Sequence, residues 1–518
     1  MVYFVVTELK RQVRSHSFWI VLGAIIALSY IFVPSDGAPY TTLDIAGVRG
    51  IYNSAWMSGM LGILGSVFTC MFGFYYLRDP ISRDIQLRMG QMIGSSSISK
   101  AKYIIGKTLS NFLVYAMMGA VLTLGFISMQ LIRAEDFRLY LHDYLLTYLI
   151  ILLPVFLILA SLTVLFDVIP WLTGAWGNII YFIGIMVLFI QSMEQESFYD
   201  VFGTEFILQN IKAGITPIDS KAAQSDMIHF GFNFFETPIT LKKFVWQGID
   251  WSFNYLLQRS WLLLFALIIM GISTVLFRRS YLTKPMKEKK TYLDLSKFYQ
   301  HQHQKLEVMD ISSPSFRLTP YSGQKQVSLL TMTFHELRLM LKGMNLWWHI
   351  IALGLIFFSF NCSIEPDKRL LSFVWIWPIT VWSQMAVKEK LYRTEAIVAT
   401  GISGRRQFMA SWLAGVILAL IIGSGAIIRF YNESDFIFAW IVGALFIPTL
   451  AFCLGSLSGT RKLFEGLYLF LWYLGPVNAN PMFDYMGVSQ PILSHTLLLL
   501  GITILLFSIT AWRQLAKQ

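Results

Sequence analysis

The sequence predicts an all-α polytopic membrane protein, with about twelve transmembrane helices arranged as two parallel, pseudo-twofold related six-helix halves. Three observations lead there. Of 518 residues, 55 % are hydrophobic and 14 % charged, with 41 Phe, 23 Tyr and 16 Trp, and the mean hydropathy is +0.58. The apolar residues fall in runs long enough to cross a bilayer, which excludes the soluble classes. The chain also repeats a pattern of its own at constant offsets.

The expected spans lie near 17–34, 56–77, 108–131, 145–166, 173–193 and 254–277, then near 347–361, 370–387, 407–428, 436–456, 464–481 and 493–511. Several of the second set are short for a hydrocarbon core unless tilted or extended by flanking residues. Pro154 and Pro378 are expected to kink their segments without ending the helix. Residues 1–16, with Glu8, Lys10, Arg11 and Arg14 among apolar residues, read as an amphipathic interfacial helix leading into the first span, not as a removable signal.

Orientation follows from basic residues in the loops. Residues 78–107 hold six basic residues against Asp79 and Asp84; 278–342 hold twelve against five acidic; 388–406 hold five against two. These loops are expected in the cytoplasm with both termini. Residues 132–143 and 194–250 are poorer in Lys and Arg and are expected outside; the longer one, with GTEF at 203–206 and TPID at 216–219, is either a small folded cap or an ordered connecting loop. The net charge of +11 fits this topology better than nucleic acid.

The repeat is direct. Glu8, Leu9, Lys10, Arg14, Phe18 and Trp19 match Glu336, Leu337, Arg338, Lys342, Leu346 and Trp347 at an offset of 328. Ser97-Ile98-Ser99 before Lys102 matches Gly401-Ile402-Ser403 before Arg406 at an offset of 304. An even number of spans separates equivalent points, so the halves are parallel. The expected organisation is a first half over 1–278, a cytoplasmic linker over 279–329 and a second half over 330–518.

Catalytic chemistry is not evident. Cys70, Cys362 and Cys453 are scattered, and His301 and His303 share no helical face, so neither a disulfide framework nor a metal site is expected. Gly106-Lys107-Thr108 mimics the end of a phosphate loop but has Ala101 where the first glycine belongs, and it opens a hydrophobic helix. Ionisable residues are few in the spans, which argues against ion coupling. Attention falls on the two basic loops after the second span of each half. There Ile81, Ile85 and Met89, and likewise Leu391, Ile397 and Val398, suggest short amphipathic helices closed near Gly94 and Gly401.

This layout resembles the permease subunits of ATP-binding cassette exporters of the ABC-2 type. In that family a connecting helix, here 1–16 and 330–345, precedes six spans, and a coupling helix, here about 81–93 and 388–400, follows the second span. The usual member has six spans and dimerises; this chain contains both halves. The resemblance implies a translocation path between the halves, coupled to two copies of a cytoplasmic ATPase subunit, identical or not. Those partners would bind ATP and Mg; the chain itself would be no enzyme and hold no cofactor. Membrane lipid and an accessory subunit are the other implied partners, the cell membrane of a bacterium the implied location. The coupling residues implied are Arg83, Asp84, Arg88 and Gly94 in the first half, with Glu389, Arg393, Glu395 and Gly401 in the second. An ion-coupled secondary transporter and a non-transporting scaffold or sensor of an efflux or immunity system are the alternatives.

Overall fold

The computed structural model describes residues 2–38, 40–86, 89–96, 98–173, 175–193, 200–225, 227–234, 241–278, 328–361, 371–392, 394, 404–477, 480–489 and 492–515. It is mostly helical, at 75 %. Among the described residues, seven helices are long and apolar enough to cross a membrane, and up to nine segments qualify if each of two sharply bent helix pairs counts as one. The protein is therefore of the membrane-embedded, polytopic helical class.

Several helices begin on a side-chain cap. Helix α1 (Val2–Val13) bends by 70° into α2 (His16–Phe32), whose first turn is capped by Ser15 accepting from the Phe18 amide. Asn53 accepts from the Trp56 amide at 2.8 Å to start α3 (Ser54–Phe68), which runs through a π-helical turn at Thr69–Gly73 into α4 (Phe74–Leu77). Two short helices follow, α5 (Pro80–Gln86) and α6 (Met89–Ser95). Ser99 caps the 34-residue α7 (Lys100–Arg133), which ends on Ala134 in the left-handed region.

Helix α8 (Leu141–Thr147) continues through a π turn at Tyr148–Leu152 into α9 (Leu153–Val168). Pro154 lacks an N–H, and the adjacent π turn absorbs the defect without ending the span. Then come α10 (Ala175–Gln191), α11 (Thr204–Ile215), α12 (Ser220–Ala223) and α13 (Phe253–Leu276), the last capped by Ser252.

The second half opens on α14 (Leu329–Lys342), bent by 111° against α15 (Leu346–Asn361). Its next segment breaks at Pro378 into α16 (Ser372–Ile376) and α17 (Ile379–Trp382). Helices α18 (Lys388–Tyr392), α19 (Gly404–Ile422), α20 (Ser424–Arg429), α21 (Ser434–Ser458), α22 (Lys462–Trp472) and α23 (Leu493–Leu515) complete the chain. Among the described residues, each of the twelve apolar segments named from the sequence overlaps helix. Those at 173–193, 370–387 and 464–481 are broken or short, so length and apolarity alone do not count them as spans.

One element departs from the all-α expectation. Strands β1 (Tyr40–Ile45), β2 (Val48–Gly50), β3 (Ile228–Phe234) and β4 (Lys242–Phe244) form a sheet in the order β3-β1-β2-β4. Ala46 and Gly47 both take positive φ, the geometry of a two-residue hairpin turn, and β2 pairs with β4 in parallel. The long loop thus folds as a cap together with the first loop. Ile207, Ile211 and Ile215 of α11 and Trp246 are buried. Ile207 and Trp246 close on Gly59 of α3, and a Cβ there would meet the Trp246 ring at 2.8 Å.

The loops segregate to two ends. Arg49, Tyr52, Glu135 and Lys243 meet at one end, Glu8, Asp84, Lys107 and Asp167 at the other. Glu135 and Lys243 come from loops poor in Lys and Arg, Asp84 and Lys107 from a basic one.

Candidate functional site

At the basic end of the first half, four helices converge on buried charge. Helix α1 turns Val5, Glu8 and Gln12 inward, at i, i+3 and i+7. Helix α7 presents Tyr103, Lys107 and Asn111 at spacings of four on one face. The Lys107 ammonium, 1 % exposed, lies 3.2 Å from Glu8 and 2.9 Å from Asp84 of α5. The Tyr103 hydroxyl donates to Asp84 at 2.7 Å, and Arg11 closes on Glu8 from the same helix. One turn deeper, Gln12 donates to Asn111, which donates to Thr163 of α9 at 3.0 Å. Asp167, also on α9, accepts from the Ile81 and Ser82 amides at 2.6 and 3.0 Å, satisfying the first free N–H groups of α5 from outside that helix. So α5 is pinned at its start by α9 and at Asp84 by α7 and, through Lys107, by α1.

The second half builds a related cluster from different residues. Glu336 of α14 is buried, and it receives Lys388 of α18, Gln407 of α19 at 2.6 Å and Ser411 at 3.0 Å. Glu336 stands 328 residues after Glu8. Lys388, Gln407 and Ser411 each stand 304 residues after Asp84, Tyr103 and Lys107. The acid on the connecting helix is kept, while the cation moves from the long helix to the short segment that precedes it. Both solutions satisfy the same demand, since a carboxylate inside a protein needs a cation and donors around it.

Of the residues picked from the sequence, Asp84 lies at the centre of the first cluster. Arg83 is half-buried beside it, within electrostatic reach of Glu8, Asp84 and Arg11. Gly94 lies one residue before the end of α6, and Glu389, half-buried, directly follows Lys388. Arg88, Arg393, Glu395 and Gly401 lie outside the described residues, as does most of the linker, 279–327.

Sequence reasoning passed over Lys107, Asp167, Lys388, Gln407 and Ser411. Lys107 looked like part of a failed phosphate loop, and no residue identity links Asp84 to Lys388 or Lys107 to Ser411. The constant offset is the signal that finds them. Within the expected spans Arg259 and Glu465 are buried in α13 and α22; Asp84 and Lys107 are buried in helices beside the spans, and Arg78 just after α4.

The halves meet along a second feature, a seam of α3, α4 and α10 against α22. Phe470 packs edge-on against Phe68 and Phe72 at 5.7 and 4.8 Å between centroids, and Trp176 against Trp377 at 5.0 Å. Gly466 lets Tyr75 approach so closely that a Cβ would meet its ring at 2.7 Å. Toward the basic end the seam becomes polar. Asn178 donates to Glu465, Tyr75 donates to the Asn178 carbonyl at 3.1 Å, and Lys462 pairs with Asp79 at 3.0 Å while donating to the Arg78 carbonyl. Asp79 takes a positive φ of 62°, a conformation that short polar residues tolerate, just ahead of Pro80 in α5. The seam is thereby joined to the first charged cluster through α5.

Fold and site together define a membrane-embedded helical protein with a clamped, charged end and an aromatic contact between its halves. No protein family, curated protein or solved structure matches the chain.

Proposed function

We propose that the chain is the permease subunit of an ATP-binding cassette exporter of the ABC-2 type: twelve spans in two fused, pseudo-twofold related halves, both termini cytoplasmic, the path running between the halves. Two ATPase subunits, holding ATP and Mg, would dock on the segments after the second spans, around Arg83, Asp84, Arg88 and Gly94 and around Glu389, Arg393, Glu395 and Gly401. The observation that carries this reading is the pair of clusters at Glu8 and Glu336. In each, the connecting helix holds the short post-span segment through buried charge, Asp84 in one case and Lys388 in the other. A force on that segment would then reach the spans through the buried pairs of Lys107 and the partly buried pair of Lys388 with Glu336. Arg78, Asp79 and Lys462 extend the linkage to the seam.

The test is a pull-down of the tagged native chain in mild detergent, with identification of co-purifying proteins and an ATPase assay of the eluate. Two ATPase subunits per chain and vanadate-sensitive hydrolysis are expected; a monodisperse chain with neither would remove the reading.

One observation favours a second reading, an ion-coupled secondary transporter. Glu465 is fully buried at the seam and bonded across it to Asn178, and intramembrane carboxylates commonly serve ion passage. Uptake into proteoliposomes driven by a proton or sodium gradient without ATP, and lost in Glu465→Gln, would favour it.

A further inference from the structure

The 111° bend between α14 and α15 leaves an open cleft of about 600 Å³ at the basic end of the second half. Leu337 and Leu341 form its apolar floor, and Arg338, Lys342 and His349 line it, with no acidic residue among the described lining residues. The acid of this helix, Glu336, is turned to the opposite face with Met332, Thr333 and Met340, where Lys388 neutralises it. The cleft therefore keeps its positive charge. Its apolar rim is bare: Phe334 is 65 % exposed and Leu346 75 %, and Trp347 beside the cleft is 74 % exposed.

Exposed aromatic and aliphatic side chains beside two cations one helical turn apart suit a ligand that is apolar along its length and anionic at one end. In a chain with long apolar helices, such an elbow lies where hydrocarbon gives way to headgroups. The geometry points to a binding site for an anionic phospholipid, its phosphate between Arg338 and Lys342 with His349 alongside, and an acyl chain along Leu337, Leu341 and Leu346. A zwitterionic lipid offers the same chain but no net charge to match the cations, and a soluble phosphate offers the charge without the chain. The site does not depend on the transport reading. Lys10 and Arg14 hold the matching positions 328 residues earlier, so the first elbow carries the same pair of cations.

The experiment uses the full chain, purified in detergent, delipidated and titrated with phosphatidylglycerol, phosphatidylcholine or glycerol phosphate. Bound lipid is read by native mass spectrometry and stability by thermal melting. Phosphatidylglycerol alone should remain bound and raise the Tm. The double variant R338E/K342E should weaken its retention on the order of tenfold while eluting as the parent does; should that variant fail to elute so, R338Q/K342Q takes its place under the same readout. Unchanged retention in the variant, equal retention of phosphatidylcholine, or equal stabilisation by glycerol phosphate each overturns the proposal.

Discussion

Lys107 sets its ammonium nitrogen 2.9 Å from a carboxylate oxygen of Asp84, with 1 % of its side chain exposed. Glu8 approaches the same nitrogen at 3.2 Å, so one cation stands between two acids from different helices. Removing it leaves two buried carboxylates facing each other. Lys107→Met is expected to destabilise the chain by about 3–5 kcal/mol, read as a lower Tm and faster proteolysis near α5. Adding Asp84→Asn should restore part of the loss, because one of the stranded charges is gone. Single and double variants that melt alike would show that the cluster does not hold these helices together.

The second cluster supplies a sharper test. Asp84, Tyr103 and Lys107 correspond by offset to Lys388, Gln407 and Ser411, and both sets face a glutamate on a connecting helix. Asp84→Lys alone puts two ammonium groups side by side. Asp84→Lys, Tyr103→Gln and Lys107→Ser together would rebuild the second arrangement around Glu8. The triple variant is expected to recover most of the stability lost by the single one, in melting experiments on the purified chain. A triple variant no more stable than the single one would mean that the offset does not mark equivalent positions.

The same comparison shows what could be read from the sequence. Helix positions were legible because long apolar runs must satisfy their own backbone; the caps Asn53, Ser99 and Ser252 emerge only in the structure. Glu8 and Glu336 were legible as repeated letters. Their partners were not, because burial demands a charge balance and leaves open which helix carries the cation. The sheet was missed for another reason: β2 and β4 are three residues each, and β4 lies nearly two hundred residues after its partner. No local pattern announces a pairing at that distance. Pro154 and Pro378 looked alike in sequence, yet the span around Pro154 stays continuous and the segment at Pro378 breaks.

Close packing across the seam can be tested at Gly466. Its missing side chain is occupied by the Tyr75 ring, which a Cβ would meet at 2.7 Å. Gly466→Ala should cost about 1–3 kcal/mol through displacement of the ring, and Gly466→Leu more. Since Tyr75 belongs to the first half and Gly466 to the second, the loss should appear as easier separation of the halves, seen as increased cleavage after nicking within 279–327. Tyr75→Ala combined with Gly466→Ala should be less harmful than the two losses added. Strict additivity would sink the idea that these residues meet.

The cap contains two carboxyls that respond to acid in opposite ways. Glu135 accepts both guanidinium nitrogens of Arg49, at 2.6 and 3.0 Å, the Lys243 ammonium at 2.8 Å and the Tyr52 amide at 2.8 Å. Burial opposes its ionisation, but these donors prevail and hold its pKa at about 2. Its contribution to stability is complete above the ordinary glutamate value of 4.5 and is lost as pH falls from there toward 2. Asp200 caps the start of α11 by accepting from the Thr204 and Phe206 amides, yet burial outweighs those bonds and the nearby Arg259, and raises its pKa to about 6. The folded cap then binds a proton more readily than the unfolded segment, so acidification from about 6 to the ordinary 3.8 stabilises it, on the order of 2–3 kcal/mol. Hydrogen exchange in α11 should accordingly report a cap that opens less at pH 5 than at pH 7 and opens again toward pH 2.5, after correction for the intrinsic exchange rate. Asp200→Asn should abolish the gain between pH 7 and 5 and leave the loss at low pH; Glu135→Gln should do the reverse. A cap whose opening is indifferent to pH in the parent chain would mean that neither carboxyl is held as described.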